Sequence, residues 1–255
     1  DSMSGVDAIY KKTPGSSSYG NMGTSTTVSS SGMNGLYSFY AKDKAGNTSR
    51  TYFLYLDTVK PTGTIKNSNG TEITGSYTNQ TFSYSATDSG SGISYLQYKK
   101  PGSSSWLTYT SGTSISASAA SGTYQFRAVD KAGNISATKS ITLDSSKPTM
   151  TLYSGDVSVS NGFKSIANYI KATATDSGSG VKTIYVKKPG ASSYTEYASG
   201  TQLTADGAYS FYCVDNAERF ADLYDFNGSH KTYDYKFGRR VRENVERRIY
   251  RYRFG

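Results

Sequence analysis

Six aspartates stand at matching places in a 255-residue chain: Asp57 and Asp144, Asp88 and Asp176, Asp130 and Asp215. Carboxylates gathered among Gly, Ser and Asn carbonyls suit a hard divalent cation, above all Ca²⁺, which takes six to eight oxygen ligands. The plainer role competes. Asp and Asn cap turns by bonding their own backbone two residues on, and Lys60, Lys131 and Lys147 stand near enough in sequence to neutralise the charges. A second set is aromatic. Tyr19, Trp106 and Tyr194 hold one position after a Pro-containing turn, where a ring could stack on a sugar or pack across its own strands.

Other chemistry is scarce. With one Cys and one His the chain lacks the ligand sets of zinc sites and the usual positioned base of a Ser or Cys nucleophile. Cys213 cannot form an internal disulfide and is expected in the core. Carboxylate pairs alone could serve glycoside hydrolysis, but those outside linkers and turns are scattered, so no enzyme is expected. No run approaches the ~18 apolar residues of a membrane span, and no basic-then-apolar leader is visible in the residues given.

The elements that position these residues repeat. D-K-A-G-N at Asp43–Asn47 returns at Asp130–Asn134, and D-N-A stands at Asp215–Ala217. L-D-T-V-K-P-T (Leu56–Thr62) returns as L-D-S-S-K-P-T (Leu143–Thr149). D-S-M-S-G-V at Asp1 matches D-S-G-S-G-I at Asp88 and D-S-G-S-G-V at Asp176, and Pro14, Pro101 and Pro189 fall in register. A shared spacing of about 87 residues defines one repeat unit. Within it, Phe82, Tyr84 and Ala86 alternate on one strand. Tyr124, Phe126 and Ala128 face inward on another, with Gln125, Arg127 and Val129 outward. Short alternating runs between Gly/Ser/Asn turns indicate an all-β chain of tandem immunoglobulin-like sandwiches, one complete and two partial. In that topology the incoming linker and the loops after the second and sixth strands share one end. Asp57, Asp88 and Asp130 should therefore converge, as should Asp144, Asp176 and Asp215.

On these three strings, residues 1–216 resemble the bacterial immunoglobulin-like (Big) repeats of surface proteins. The resemblance implies an extracellular or cell-surface location and a non-catalytic stalk or adhesion role. The partner would be a host or bacterial surface protein or glycan, without nucleic acid, membrane insertion or homo-oligomer. Some such adhesin arrays stiffen their junctions with Ca²⁺, which favours the cation at the aspartates. The alternative is an accessory carbohydrate-binding region of a secreted glycoside hydrolase.

The expected boundaries are 1–59, a partial repeat lacking its first strands; 60–146, complete; 147–216, lacking its native last strand; and 217–255, an aberrant tail. Eight of ten Arg lie in that tail, and it supplies +4 of the net +9. Its Arg–aromatic run near the C-terminus has the look of a nucleic-acid or membrane patch. A reading-frame slip explains it better. Glu218–Tyr224 can be encoded GAA CGT TTC GCG GAC CTA TAC. Without its first base this reads N-V-S-R-T-Y, close to the N-T-S-R-T-Y of Asn47–Tyr52. The hypothesis is that residues 218–255 are a shifted read of the last strand and the next repeat. Sequencing the gene tests it; no intact repeat in any shifted frame would sink it.

Overall fold

The computed structural model describes residues 2–165 and 167–228, and all its regular elements there are strands. In chain order these are β1 (Val6–Lys12), β2 (Gly20–Asn21), β3 (Gly35–Asp43), β4 (Tyr52–Leu56), β5 (Thr62–Asn67), β6 (Tyr77–Thr78), β7 (Phe82–Thr87), β8 (Ile93–Lys99) and β9 (Leu107–Tyr109). There follow β10 (Gly122–Asp130), β11 (Lys139–Leu143), β12 (Thr149–Ser154), β13 (Val157–Val159), β14 (Ile170–Thr175), β15 (Val181–Lys187), β16 (Thr195–Tyr197), β17 (Gly207–Asp215) and β18 (Tyr224–Gly228). No helix among the described residues is long and apolar enough to cross a membrane. The arginine-rich segment lies outside the described residues.

Contacts divide the chain into two units. The first comprises Asp1–Lys147 with Asp176–Gly180 and Asp215–Arg219; the second comprises Pro148–Thr175, Val181–Val214 and the residues from Phe220 onward.

Within the first unit, residues 60–146 form a two-sheet sandwich. One sheet pairs β5 with β7; the other runs β6-β11-β10-β8-β9, with β6 parallel to β11 and the other pairs antiparallel. Period-two alternation drives this arrangement, because every second residue on a strand faces the same way. Ile65, Phe82 and Tyr84 thereby meet Leu96, Tyr109, Tyr124, Phe126, Ile141 and Leu143 in one buried cluster. Aromatic rings supply much of it: Phe126 stacks on Tyr84 at 5.0 Å and meets Tyr109 edge-on at 5.3 Å. Val129 departs from the expected outward position. It is 6% exposed because the D-K-A-G-N turn folds back over it, bridging it to Ile135.

Residues 1–59 form a single four-stranded sheet, β2-β1-β3-β4. In the second unit β13-β12-β14 faces β16-β15-β17-β18, and Cys213 is fully buried in its core. The strand beside β17 comes from beyond residue 216. Tyr224–Gly228, inside the tail that the repeat pattern excludes, pairs with β17 from Gly207↔Gly228 to Phe211↔Tyr224. That register matches Gly122↔Leu143 to Phe126↔Lys139 in the complete repeat. Backbone groups make the ladder, so the pairing does not require the side chains of Lys139–Leu143 to be repeated here.

Candidate metal centres

The linker after β4 ends in Asp57, and the chain places its carboxylate by hydrogen bonds rather than by exposure to water. One oxygen accepts the Val59 N–H at 2.9 Å, the other the Ser91 N–H at 2.5 Å. Ser91 belongs to D-S-G-S-G, which wraps around its own first residue: Asp88 Oδ2 accepts the Gly90 and Gly92 N–H groups at 3.0 and 2.8 Å. Gly90 must be glycine because a β-carbon there would overlap the Asp57 carboxylate. Asp130, at the end of β10, accepts the Asn134 N–H at 2.7 Å and its side-chain amide at 2.8 Å, and that amide also donates to the Asp57 carbonyl at 2.9 Å. The three repeated strings thus interlock in one contact. Asp57, Asp88 and Asp130 present oxygens within 4.8 Å of one another.

The first unit contains the same arrangement a second time. Asp144 accepts from the Ser146 N–H at 2.9 Å and from the Ser179 N–H at 2.7 Å; Asp176 Oδ2 accepts from Gly178 and Gly180 at 3.0 and 2.7 Å. Asp144, Asp176 and Asp215 again bring oxygens within 4.8 Å of one another. The third corner differs, because Arg219 stands where the complete repeat has Asn134. Its N–H still reaches Asp215 Oδ1 at 2.7 Å, but its guanidinium turns to the Ser145 carbonyl. Asp215 Oδ2 is left buried without a hydrogen-bond partner on a side chain of 0% exposure.

Electrostatics separates the members of each set. Hydrogen bonds from Ser91 hold Asp57 below the usual carboxylate range. At Asp144 burial pushes upward, yet the bonds from Ser146 and Ser179 outweigh it and the net direction is down. Asp215 is pushed up, by burial first and then by the charges of Asp144 and Asp176. Backbone donors account for most carboxylate oxygens, as turn-capping requires. Asp88 Oδ1, Asp176 Oδ1 and Asp215 Oδ2 remain buried and unpartnered, and such atoms cost free energy unless a cation or proton meets them. The donor set is all oxygen, which fits Ca²⁺. Ser91, Ser179, Asn134 and Gly90 escaped the reading by residue type, since none is charged; their recurrence inside D-S-G-S-G and D-K-A-G-N was the available signal.

The aromatic candidates are not brought together. Each packs on the outer face of its own sheet. Tyr19 meets Tyr40 edge-on at 4.9 Å, and Tyr40 stacks on Tyr10 at 4.9 Å. Tyr194 repeats this with Tyr212 at 4.9 Å and Tyr185 beyond it. At Trp106 the neighbours are cations, with Arg127 4.2 Å and Lys99 4.9 Å from the ring centre.

The described strands form tandem β-sandwiches of an immunoglobulin-like fold, and the Asp57 carboxylate is held by the D-S-G-S-G turn that follows it. No family model and no curated protein matches the chain. Among solved structures it is similar to the fibronectin(III)-like modules of Clostridium thermocellum CbhA, at 17% identity and a TM-score of 0.32, over 68% of this chain and all of that one. It is also similar to the Bacteroides ovatus mixed-linkage glucan utilization locus protein SGBP-B, solved with a mixed-linkage heptasaccharide. There the identity is 12% and the TM-score 0.18, over 92% of this chain and 66% of that one.

Proposed function

We propose that the chain is a non-catalytic stalk or adhesion module that spaces or presents a binding domain at a bacterial cell surface. Its aspartate clusters hold Ca²⁺. The observation that carries the reading is Asp57, a linker residue 6% exposed whose carboxylate is held by the D-S-G-S-G loop of the next repeat. A linker fixed in this way limits bending between residues 1–59 and 60–146, and limited bending is what a spacer needs. The unpartnered oxygens of Asp88, Asp176 and Asp215 support the cation.

The test is a Ca²⁺ titration of the metal-free full chain, by calorimetry and by thermal melting with and without chelator. Binding to the native state alone should stabilise by about 2.7 kcal/mol at a hundredfold excess over Kd. Asp88→Asn with Asp176→Asn should remove the heat of binding. An unchanged melting midpoint would count against the metal.

The accessory carbohydrate-binding reading would use the outer faces of Tyr19, Trp106 and Tyr194. Tyr19 is the most open of the three at 37% exposure. A glycan array with the wild type and Tyr19→Ala separates the two readings: retention lost in the variant would favour the carbohydrate role.

A further inference from the structure

The sheet of residues 1–59 carries the inward positions of the complete repeat, 87 residues earlier in the chain. In the complete repeat Leu96, Phe126, Ala128 and Ile141 are at most 4% exposed, packed beneath Ile65 of β5 and Phe82 and Tyr84 of β7. Their counterparts differ sharply in cover. Ile9, Phe39 and Ala41 are only partly buried, and Leu54, at the Ile141 position, is 48% exposed. Among the described residues no second sheet is formed by 1–59.

The face is nevertheless built to sandwich geometry. β3 pairs with β4 from Gly35↔Leu56 to Phe39↔Tyr52, the register of β10 with β11. Tyr37 donates its hydroxyl to the Met33 carbonyl at 2.8 Å, as Tyr124 does to Ala120 at 3.0 Å. The opposite face is occupied by the Tyr10–Tyr40–Tyr19 stack. One apolar face thus stands open, and the complete repeat displays what fits it.

We infer that the face formed by Ile9, Phe39, Ala41 and Leu54 is the seat of a two-stranded antiparallel sheet of the β5–β7 kind. The inference rests on reading residues 1–59 as part of one repeat. The occupant is a strand pair with apolar residues at the Ile65, Phe82 and Tyr84 positions. Alternation gives it one apolar face for this seat and one polar face for water. Recognition is hydrophobic, with shape set by the same aromatic–aliphatic packing that closes residues 60–146.

The strand pair of this chain is its own probe. A peptide of Pro61–Thr87 is added to the full chain; in a second arm the same segment is joined directly before Asp1, recreating the Thr-Asp-Ser step of Thr87–Ser89. Amide exchange in β3 and β4 should slow by about tenfold or more in the joined protein. The peptide should bind saturably, and Leu54→Asp should abolish both effects while Leu54→Ile keeps them. Unchanged exchange in β3 and β4, or peptide binding indifferent to Leu54→Asp, overturns the inference. So does a concentration-dependent dimer of the unmodified chain in which Leu54 is already covered. If β1, β3 and β4 show no protection at all, the repeat reading itself fails. Protection that the strand pair does not increase rejects the seat alone.

Discussion

The carboxylate of Asp57 fills the space a side chain on Gly90 would need. The linker of one repeat therefore determines which residue the loop of the next can tolerate. Gly90→Ala should drive Asp57 out and break its bond with the Ser91 N–H, costing about 2 kcal/mol as other overpacked sites do. Urea denaturation of the full chain checks this. Gly75→Ala is the control, since a β-carbon there meets nothing closer than 3.9 Å, and it should shift stability by less than about 0.5 kcal/mol.

Glu218 carries a backbone φ of 65°, where the other repeats place Gly46 and Gly133 at 93°. A side chain in the left-handed region costs on the order of 1 kcal/mol. Glu218→Gly should raise the unfolding midpoint accordingly. Adding Arg219→Asn should restore the amide bond that Asn134 gives Asp130 and contribute about another 1 kcal/mol. A midpoint unmoved by either change would mean that the turn has already relaxed.

Gly63 leaves room for the ring of Tyr84, since a β-carbon on Gly63 would overlap its hydroxyl. In the third repeat the corresponding pair is Met150 and Ala172, both buried, so the bulk has moved from one strand to its neighbour. Gly63→Met alone and Tyr84→Ala alone should each destabilise by about 3 kcal/mol or more. Together they should recover about 2 kcal/mol in a double-mutant cycle. Strict additivity would show that the two positions do not share space.

The Tyr212 hydroxyl is pushed up to about 12, by burial first and then by Tyr185 and Tyr194. The neutral phenol is the form the fold favours. Its stabilising contribution is complete below about pH 10, the unfolded value, and is lost as pH rises toward 12. Spectrophotometric titration of the tyrosines should show a late step that Tyr212→Phe removes.

Much of this was readable in the residues. The spacing of D-K-A-G-N, L-D-x-x-K-P-T and D-S-G-S-G placed Asp57, Asp88 and Asp130 at one end of a sandwich, and alternation picked out Phe82, Tyr84, Tyr124 and Phe126 for the core. What escaped has a common cause. β18 is held by backbone pairing, which carries little trace in side-chain type, so its place beside β17 is not legible in the repeated strings. Val129 is buried by a turn folding back over it, an event that strand alternation does not encode. Tyr19 packs on Tyr40, Tyr194 on Tyr212, and Trp106 on Arg127 and Lys99, partners on neighbouring strands that only the paired sheet reveals.

The parallel pairing of β6 with β11 has a mechanical meaning. Thr142 N–H bonds the Ser76 carbonyl and Asp144 N–H bonds the Thr78 carbonyl, each at 2.9 Å. Tension drawn along the polypeptide would enter residues 60–146 near β5 and leave through β11. Two strands running the same way cannot unzip one bond at a time under such a pull. Their bonds would bear a load that reaches them together in shear, so the short pair Tyr77–Thr78 should resist extension more than its two residues suggest.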